Sequence, residues 1–458
     1  MFNIKIPKIN NKQEKNGLLA IVFALLFFSI FILKINSSVL LAVSIFIIMF
    51  IFTKQYSWVL LCLAPPALSL GLTFSLPITE QWRYDITLAE IFILVVAFDF
   101  VINMLFRMFY ELKFSLLNYA LAFYLSIATL SGFYAHDKQL FLAGLKIPVF
   151  ALLAYTLAGY YLRTAERIKW FMAGLLLTAV IISAQIVFLF YANGFSSRFF
   201  FDRSSLSVPI GAIAFASSIL VMIIPVLFSF SLTQIKNYVW HAMSIIAFTL
   251  GFIAIFITLG KGAILSLAIG LGFLFLALKH KRYYLFLISV TIITVLSLLF
   301  SALFANIFER LTAVFIDNNT RFRWREYKII WRIIKENYWL GVGMGQQLHY
   351  YSLWLYPGYQ QLANNMVLQM AMDLGALGLA IFVFIATALR KIVKKAFVRA
   401  SDYYPVLLYG ICASIIASFF NGLVEVTYFG LAYAIIFWLL MGIIPNVHIY
   451  EKHFSYNH

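Results

Sequence analysis

VPIGAIAFASSILVMIIPVLFSFS, residues 208–231, contains no charged side chain. At 1.5 Å per residue a helix of this length crosses the roughly 30 Å hydrocarbon layer of a bilayer. Similar runs recur from Leu18 to Ile444. They lie near 18–33, 38–53, 57–78, 87–106, 115–132, 140–161, 170–191, 208–231, 238–258, 262–278, 283–304, 366–388, 404–420 and 428–444, each about 16–24 residues long. The sequence therefore specifies an all-α polytopic transmembrane helical bundle of about 12–14 spans, read as one integral-membrane domain over residues 1–458. The runs 38–53 and 262–278 are short enough to tilt or re-enter. Composition agrees: 64% of the 458 residues are hydrophobic and 11% charged, against roughly 45–50% and about 25% in soluble domains. That balance excludes a soluble enzyme, a disordered chain, a coiled coil and a disulfide scaffold. Cys62 and Cys412 both fall inside apolar runs and carry no information on redox compartment. The run 18–33 reads as a retained span, because no small-residue cleavage site follows it.

The net charge is 34 − 17 = +17. Most of this excess is explained by membrane orientation, since cytoplasmic loops collect Lys and Arg. With Lys5, Lys8, Lys12 and Lys15 inside, the alternating inner loops hold Arg107 and Lys113, then Arg163, Arg167 and Lys169, then Lys236. Later inner loops hold Lys279, Lys281 and Arg282, then Arg390, Lys391, Lys394, Lys395 and Arg399. The short outer loops carry few cations: Lys34, Arg83 and Lys138. Both termini are expected in the cytoplasm, the lipid bilayer is the first partner, and no nucleic acid is required.

Two outer segments depart from this pattern. The loop 192–207 carries Arg198 and Arg203, and the long outer loop 305–365 has seven cations against four anions, a net charge of 7 − 4 = +3. Translocated cations either reflect the weak grip of the charge rule on long loops or meet an anionic ligand. Within the long loop, RFRWREYKIIWRIIKENYW (Arg321–Trp339) has helical periodicity. Tyr327, Ile330, Trp331, Ile334 and Tyr338 are expected to form an apolar stripe, opposite Arg325, Lys328, Arg332 and Lys335, on a helix suited to the membrane interface. Arg321, Arg323 and Arg325 stand near its start, where arginine forks can converge on a phosphate. The LGVGMG that follows, Leu340–Gly345, lacks the lysine and serine of a phosphate loop and is expected to be a tight turn against the bundle.

Charges inside spans are costly and point to pairs or sites. Lys146, roughly 9 Å into its span, is expected to pair with Glu90 at a similar depth. Asp99 is expected to face a polar cavity. Lys261 interrupts two apolar runs at the outer surface, Asp373 lies roughly 10 Å into the span after the long loop, and Glu425 falls in the last outer loop. His136 and His349 are the histidines expected outside. No His/Cys spacing typical of zinc and no Asp-x-Asp is present, so no metal or cofactor is expected.

Four pieces in order resemble the O-antigen ligase/polymerase family, polytopic bacterial glycosyltransferases that act on lipid-linked glycans. They are SVPIGAIAFASSILVMIIP (Ser207–Pro225), ITLGKGAILSLAIG (Ile257–Gly270), RWREYKIIWRIIKENYWLGVGMG (Arg323–Gly345) and NNMVLQMAMDLGALGL (Asn364–Leu379). The resemblance covers about 195–380. It puts Arg323 at the family arginine, Tyr327 at its tryptophan, Lys261 at the arginine of its turn and Asp373 at its glutamate. Arg198 or Arg203 fills the earlier loop arginine. Asn364 stands where the family has histidine, and an amide cannot accept a proton as a base.

The resemblance implies transfer of a saccharide from a polyprenyl-diphosphate-linked donor to the hydroxyl of a glycan or glycolipid acceptor, with inversion, at the outer face of the bacterial plasma membrane. Arg198, Arg203, Lys261, Arg321 and Arg323 are the candidate diphosphate-binding cations. Asp373, Glu425 and His349 are the candidate bases, with Asn364 beside them. Ligase and polymerase fit equally. A flippase or transporter for a lipid-linked glycan and a non-catalytic envelope-assembly scaffold are the alternatives from other classes.

Overall fold

The computed structural model describes residues 56–77, 83–106, 114–193, 206–234, 237–258, 260–278, 318–347, 349–350, 363–400, 405–425 and 427–455. Their elements are α1 (Ser57–Ser69), β1 (Thr73–Pro77), β2 (Arg83–Thr87), α2 (Leu88–Phe106), α3 (Leu116–Leu130), α4 (Lys138–Tyr161) and α5 (Ala165–Ala192). They continue with β3 (Ser207–Val208), β4 (Gly211–Ala212), α6 (Ile213–Thr233), α7 (Tyr238–Thr258), α8 (Lys261–Ala277) and α9 (Asn318–Glu336). The chain closes with α10 (Met366–Arg399), α11 (Val406–Gly422), α12 (Leu431–Ile443) and α13 (Val447–Ser455). Among the described residues eight helices are long and apolar enough to cross a membrane, and α1, α8 and α11 are shorter apolar helices. The expected spans 18–33, 38–53 and 283–304 lie outside the described residues, as do Arg198 and Arg203.

The all-α expectation holds apart from two small antiparallel pairs, β1 with β2 and β3 with β4. The run 57–78 is not one span. Its helix stops at Ser69, the chain turns through Gly71 at φ 63°, and Thr73–Pro77 leaves as a strand. A Cβ on Gly71 would lie 2.4 Å from the Pro209 carbonyl oxygen, so the turn is pressed against the β3–β4 corner.

α6 is the hub, buried along nearly its whole length and packed by α5, α7, α8 and α11. Around it, α4 packs on α12, α1 on α5 and α2, and α3 on α10. Lipid offers no hydrophobic contrast, so such helices associate through close backbone approach at small residues. Gly174 touches the Cys62 carbonyl, Gly270 meets Ala413 and Ala417, and Gly442 meets Tyr155 and Ala158. Buried hydroxyls bond back one turn, as in Thr178 to the Gly174 carbonyl and Ser229 to that of Pro225, which satisfies them without a partner helix.

The expected pair forms: Lys146 Nζ lies 3.1 Å from Glu90 Oε1, with both side chains almost fully buried. Glu90 also closes a capping box with Thr87 at the start of α2. Asp99 faces no cavity. It accepts hydrogen bonds from Ser57 Oγ at 2.8 Å and Tyr161 OH at 2.6 Å, so hydroxyls at the ends of α1 and α4 hold it.

Candidate functional site

α10 is broken at Gly375, whose φ of 61° and ψ of −146° fit a backbone corner that is essentially confined to glycine. The break removes the hydrogen bonds that Ala376 and Leu377 would give to the carbonyls of Met372 and Asp373 in a continuous helix. The glycine segment replaces them. Val342 N–H donates to the Met372 oxygen and Gly343 N–H to that of Asp373, both at 2.9 Å, while Ala376 N–H turns to the Tyr338 oxygen at 2.8 Å. Non-helical backbone inside a membrane bundle is tolerated only when protein satisfies it in this way. Gly341, Gly343 and Gly345 all have positive φ. A Cβ on Gly341 would sit 2.5 Å from the Asp373 backbone, and one on Gly345 would sit 2.2 Å from the Leu140 oxygen. LGVGMG is thus the tight turn expected of it.

The start of α4 holds the same segment from the other side. Tyr134 OH donates to the Leu340 oxygen at 2.7 Å, Met344 N–H to Ser131 Oγ at 3.1 Å, and Gln346 pairs with the Asp137 backbone in both directions. Burial, with Asp373 nearby, holds the Tyr134 phenol above its ordinary pKa. His136 stacks on His349 at 5.8 Å, and Tyr350 meets both rings edge-on. His349 is therefore built into this junction.

α9 is amphipathic, but its buried face differs from the expected stripe. Glu326, Ile330, Ile333 and Ile334 face inward onto Val342, Ala363, Ala371 and Met372. Trp331 and Tyr338 turn outward, 55% and 56% exposed, alongside Lys328, Arg332 and Lys335. The helix is rotated by about one residue because its isoleucine ridge packs on α10 and the glycine segment. Trp331 instead lies under the Lys335 ammonium at 5.8 Å.

This rotation places Arg323 on the bundle. Its Nη1 donates to the Val424 oxygen at 2.6 Å and its Nη2 to Glu425 Oε1 at 2.9 Å. Burial disfavours the guanidinium charge, but the Glu425 carboxylate outweighs burial and holds Arg323 above its ordinary pKa. A guanidinium has five N–H donors, so two bonds do not exhaust it. Lys261 opens α8 beside the same loop. A Cβ on the adjacent Gly262 would lie 2.5 Å from Val424 Cγ2 and 3.8 Å from Glu425 Cγ. Arg321 lies in the first turn of α9, but its side chain is outside the described residues.

Asn364 joins this cluster. Its Nδ2 donates to Glu326 Oε2 at 3.1 Å, and its carbonyl accepts from Tyr327 OH at 3.2 Å. Asn365 caps α10 and donates to the Leu423 oxygen at 3.0 Å. Asp373 is buried one step further in. Gln369 Nε2 donates to both its oxygens at 3.0 Å, and Gln369 Oε1 accepts from Ala363 N–H at 2.8 Å. The structure thus gathers Arg323, Glu425, Asn364 and the N-terminus of α8, and links Asp373 to them through Gln369. Glu326 and Gln369 went unnoticed in the sequence. The available signal was an acid three residues after Arg323, on the same helical face.

Beneath the cluster, a cavity of about 480 Å³ opens at Met366 and follows α10 to Phe397. Its walls are almost wholly apolar and include Tyr124, Met370, Phe382, Cys412, Phe429 and Trp438.

These features define a polytopic helical membrane protein with an ion-paired polar cluster at the head of an apolar cavity. Residues 246–383 match the family model described as O-Antigen ligase, so the recognised resemblance holds across α8, α9 and the first part of α10. The pieces 207–225 and Glu425 lie outside the matched segment. No curated protein matches the chain.

Proposed function

We propose that this protein transfers a saccharide from a polyprenyl-diphosphate-linked donor to an acceptor hydroxyl at the outer face of the bacterial plasma membrane. The observation that carries the reading is the position of Arg323. Its fork is fixed on the Val424–Glu425 loop next to Lys261, above an apolar cavity that suits an isoprenoid chain. A diphosphate leaves as an anion, so cations placed where its charge develops lower the barrier without a general acid. The acceptor oxygen forms a bond to the anomeric carbon, and the bond from that carbon to the diphosphate oxygen breaks with its electron pair. The hydroxyl proton passes to a base of the protein. Asp373, sealed beneath Gln369, serves in this reading to fix the 363–364 turn rather than to meet substrate. Glu425 orients Arg323.

Surface-glycan profiling of a deletion strain tests the reading. Collapse of the glycan ladder to single repeats assigns a polymerase. Full-length lipid-linked polymer that never reaches its acceptor assigns a ligase. An unaltered glycan would end the transferase reading.

A further inference from the structure

α9 exposes Arg325, Lys328, Arg332, Lys335 and Glu336, yet it turns Glu326 inward, where its relative exposure is 0%. Burying a carboxylate is expensive, so a buried acid beside a cationic cluster is a functional candidate. Its surroundings are specific. Glu326 Oε2 accepts from the neutral Asn364 amide at 3.1 Å. Asn364 is itself fixed from both sides, by Tyr327 OH on its carbonyl and by the Ala363 N–H bond to Gln369. The other acids of the region are committed elsewhere: Glu425 to the Arg323 guanidinium, and Asp373 to Gln369.

We propose that Glu326 is the proton acceptor for the attacking hydroxyl, and that the Asn364 amide occupies in the resting protein the position from which that hydroxyl donates. The inference rests on the transferase reading above. Residues three apart on a helix have Cβ atoms about 5–6 Å from each other. Arg323 and Glu326 therefore flank a space that accommodates one carbon with its attacking oxygen on one side and its departing oxygen on the other. The acceptor O–H proton goes to Glu326 Oε2 as the new C–O bond forms. The electron pair of the breaking C–O bond leaves with the diphosphate held at Arg323.

The test uses the deletion strain complemented with full-length variants, reading membrane protein level, accumulated lipid-linked donor and finished surface glycan. Glu326→Gln keeps an acceptor oxygen for Asn364 and is expected to lower transfer at least about 100-fold, the usual scale of a lost general base, at unchanged protein level. Adding Asn364→His to Glu326→Gln places an imidazole beside the lost base and is expected to recover at least about 10-fold. Near-normal transfer by Glu326→Gln overturns the assignment, as does a double variant no better than the single one. If Glu326→Gln fails to reach the membrane, Glu326→Asp decides. Reduced transfer that falls further as the external pH is lowered supports the base, and a wild-type rate and profile overturns it. Should wild-type complementation change no surface glycan, the transferase reading falls and takes this inference with it. Should wild type and Glu326→Gln restore glycan equally, the base assignment alone falls.

Discussion

Arg323 makes two directed hydrogen bonds from one planar group, to the Val424 oxygen and to Glu425. A lysine ammonium keeps the charge but not the fork. Arg323→Lys is therefore expected to lower glycan transfer about 10- to 100-fold, the cost of roughly 1.4–2.7 kcal/mol of directed bonding. Arg332→Ala removes only an exposed pair with Glu336 and should leave transfer near wild type, as complementation assays would show. The buried Lys146–Glu90 pair gives a stability prediction. Lys146→Met strands the Glu90 carboxylate and should cost about 3–5 kcal/mol, read as a lower unfolding temperature in detergent that Glu90→Gln partly restores. This pair was legible in the sequence, because two opposite charges at equal depth in neighbouring spans have few alternatives. Glu326 was not. Its orientation depends on a one-residue rotation of α9 that hydrophobic periodicity cannot resolve when tryptophan and isoleucine score alike.

Gly375 shows how an element is shaped by its partner rather than by its own sequence. α10 has the composition of one uninterrupted helix, and its C-terminal half runs on through Lys394 and Lys395 to Arg399 as good helix formers allow. The break exists because the glycine segment supplies the bonds lost there. A methyl group at Gly375 would meet the Trp339 backbone at 2.5 Å, and the positive φ adds about 1–3 kcal/mol of strain. Gly375→Ala is expected to release residues 337–347 from α10, abolish transfer and open this segment to protease, while α6 and its neighbours stay folded. Continued protease resistance with full activity would show that the break is incidental. Span positions were readable because apolar runs of membrane length are unmistakable. The end of α1 at Ser69 was not, because Leu70–Pro77 is apolar enough to continue a helix and only the tertiary contact of Gly71 with Pro209 reveals the turn.

On the scale of the whole molecule, the cation alternation predicts that the cluster faces outward. Both native cysteines are buried, which gives a quiet background for labelling. A membrane-impermeant thiol reagent should modify a cysteine at Ser352 in intact spheroplasts and spare one at Ser401. The reverse pattern would place Arg323 on the cytoplasmic side and remove the lipid-linked donor from its reach. The junction between the start of α4 and the glycine segment also has a bearing on how the protein is made. Tyr134 and Leu340, joined by one hydrogen bond, are 206 residues apart in the chain. At about 5–20 residues per second the ribosome needs roughly 10–40 s to travel between them. Through that interval the α3–α4 corner waits in the translocon's neighbourhood without its counterpart, and Arg323 emerges before the α10 carbonyls that anchor its helix exist. The cluster can therefore arise only near the end of synthesis, so an unfinished chain inserts into the membrane without being able to consume lipid-linked sugar.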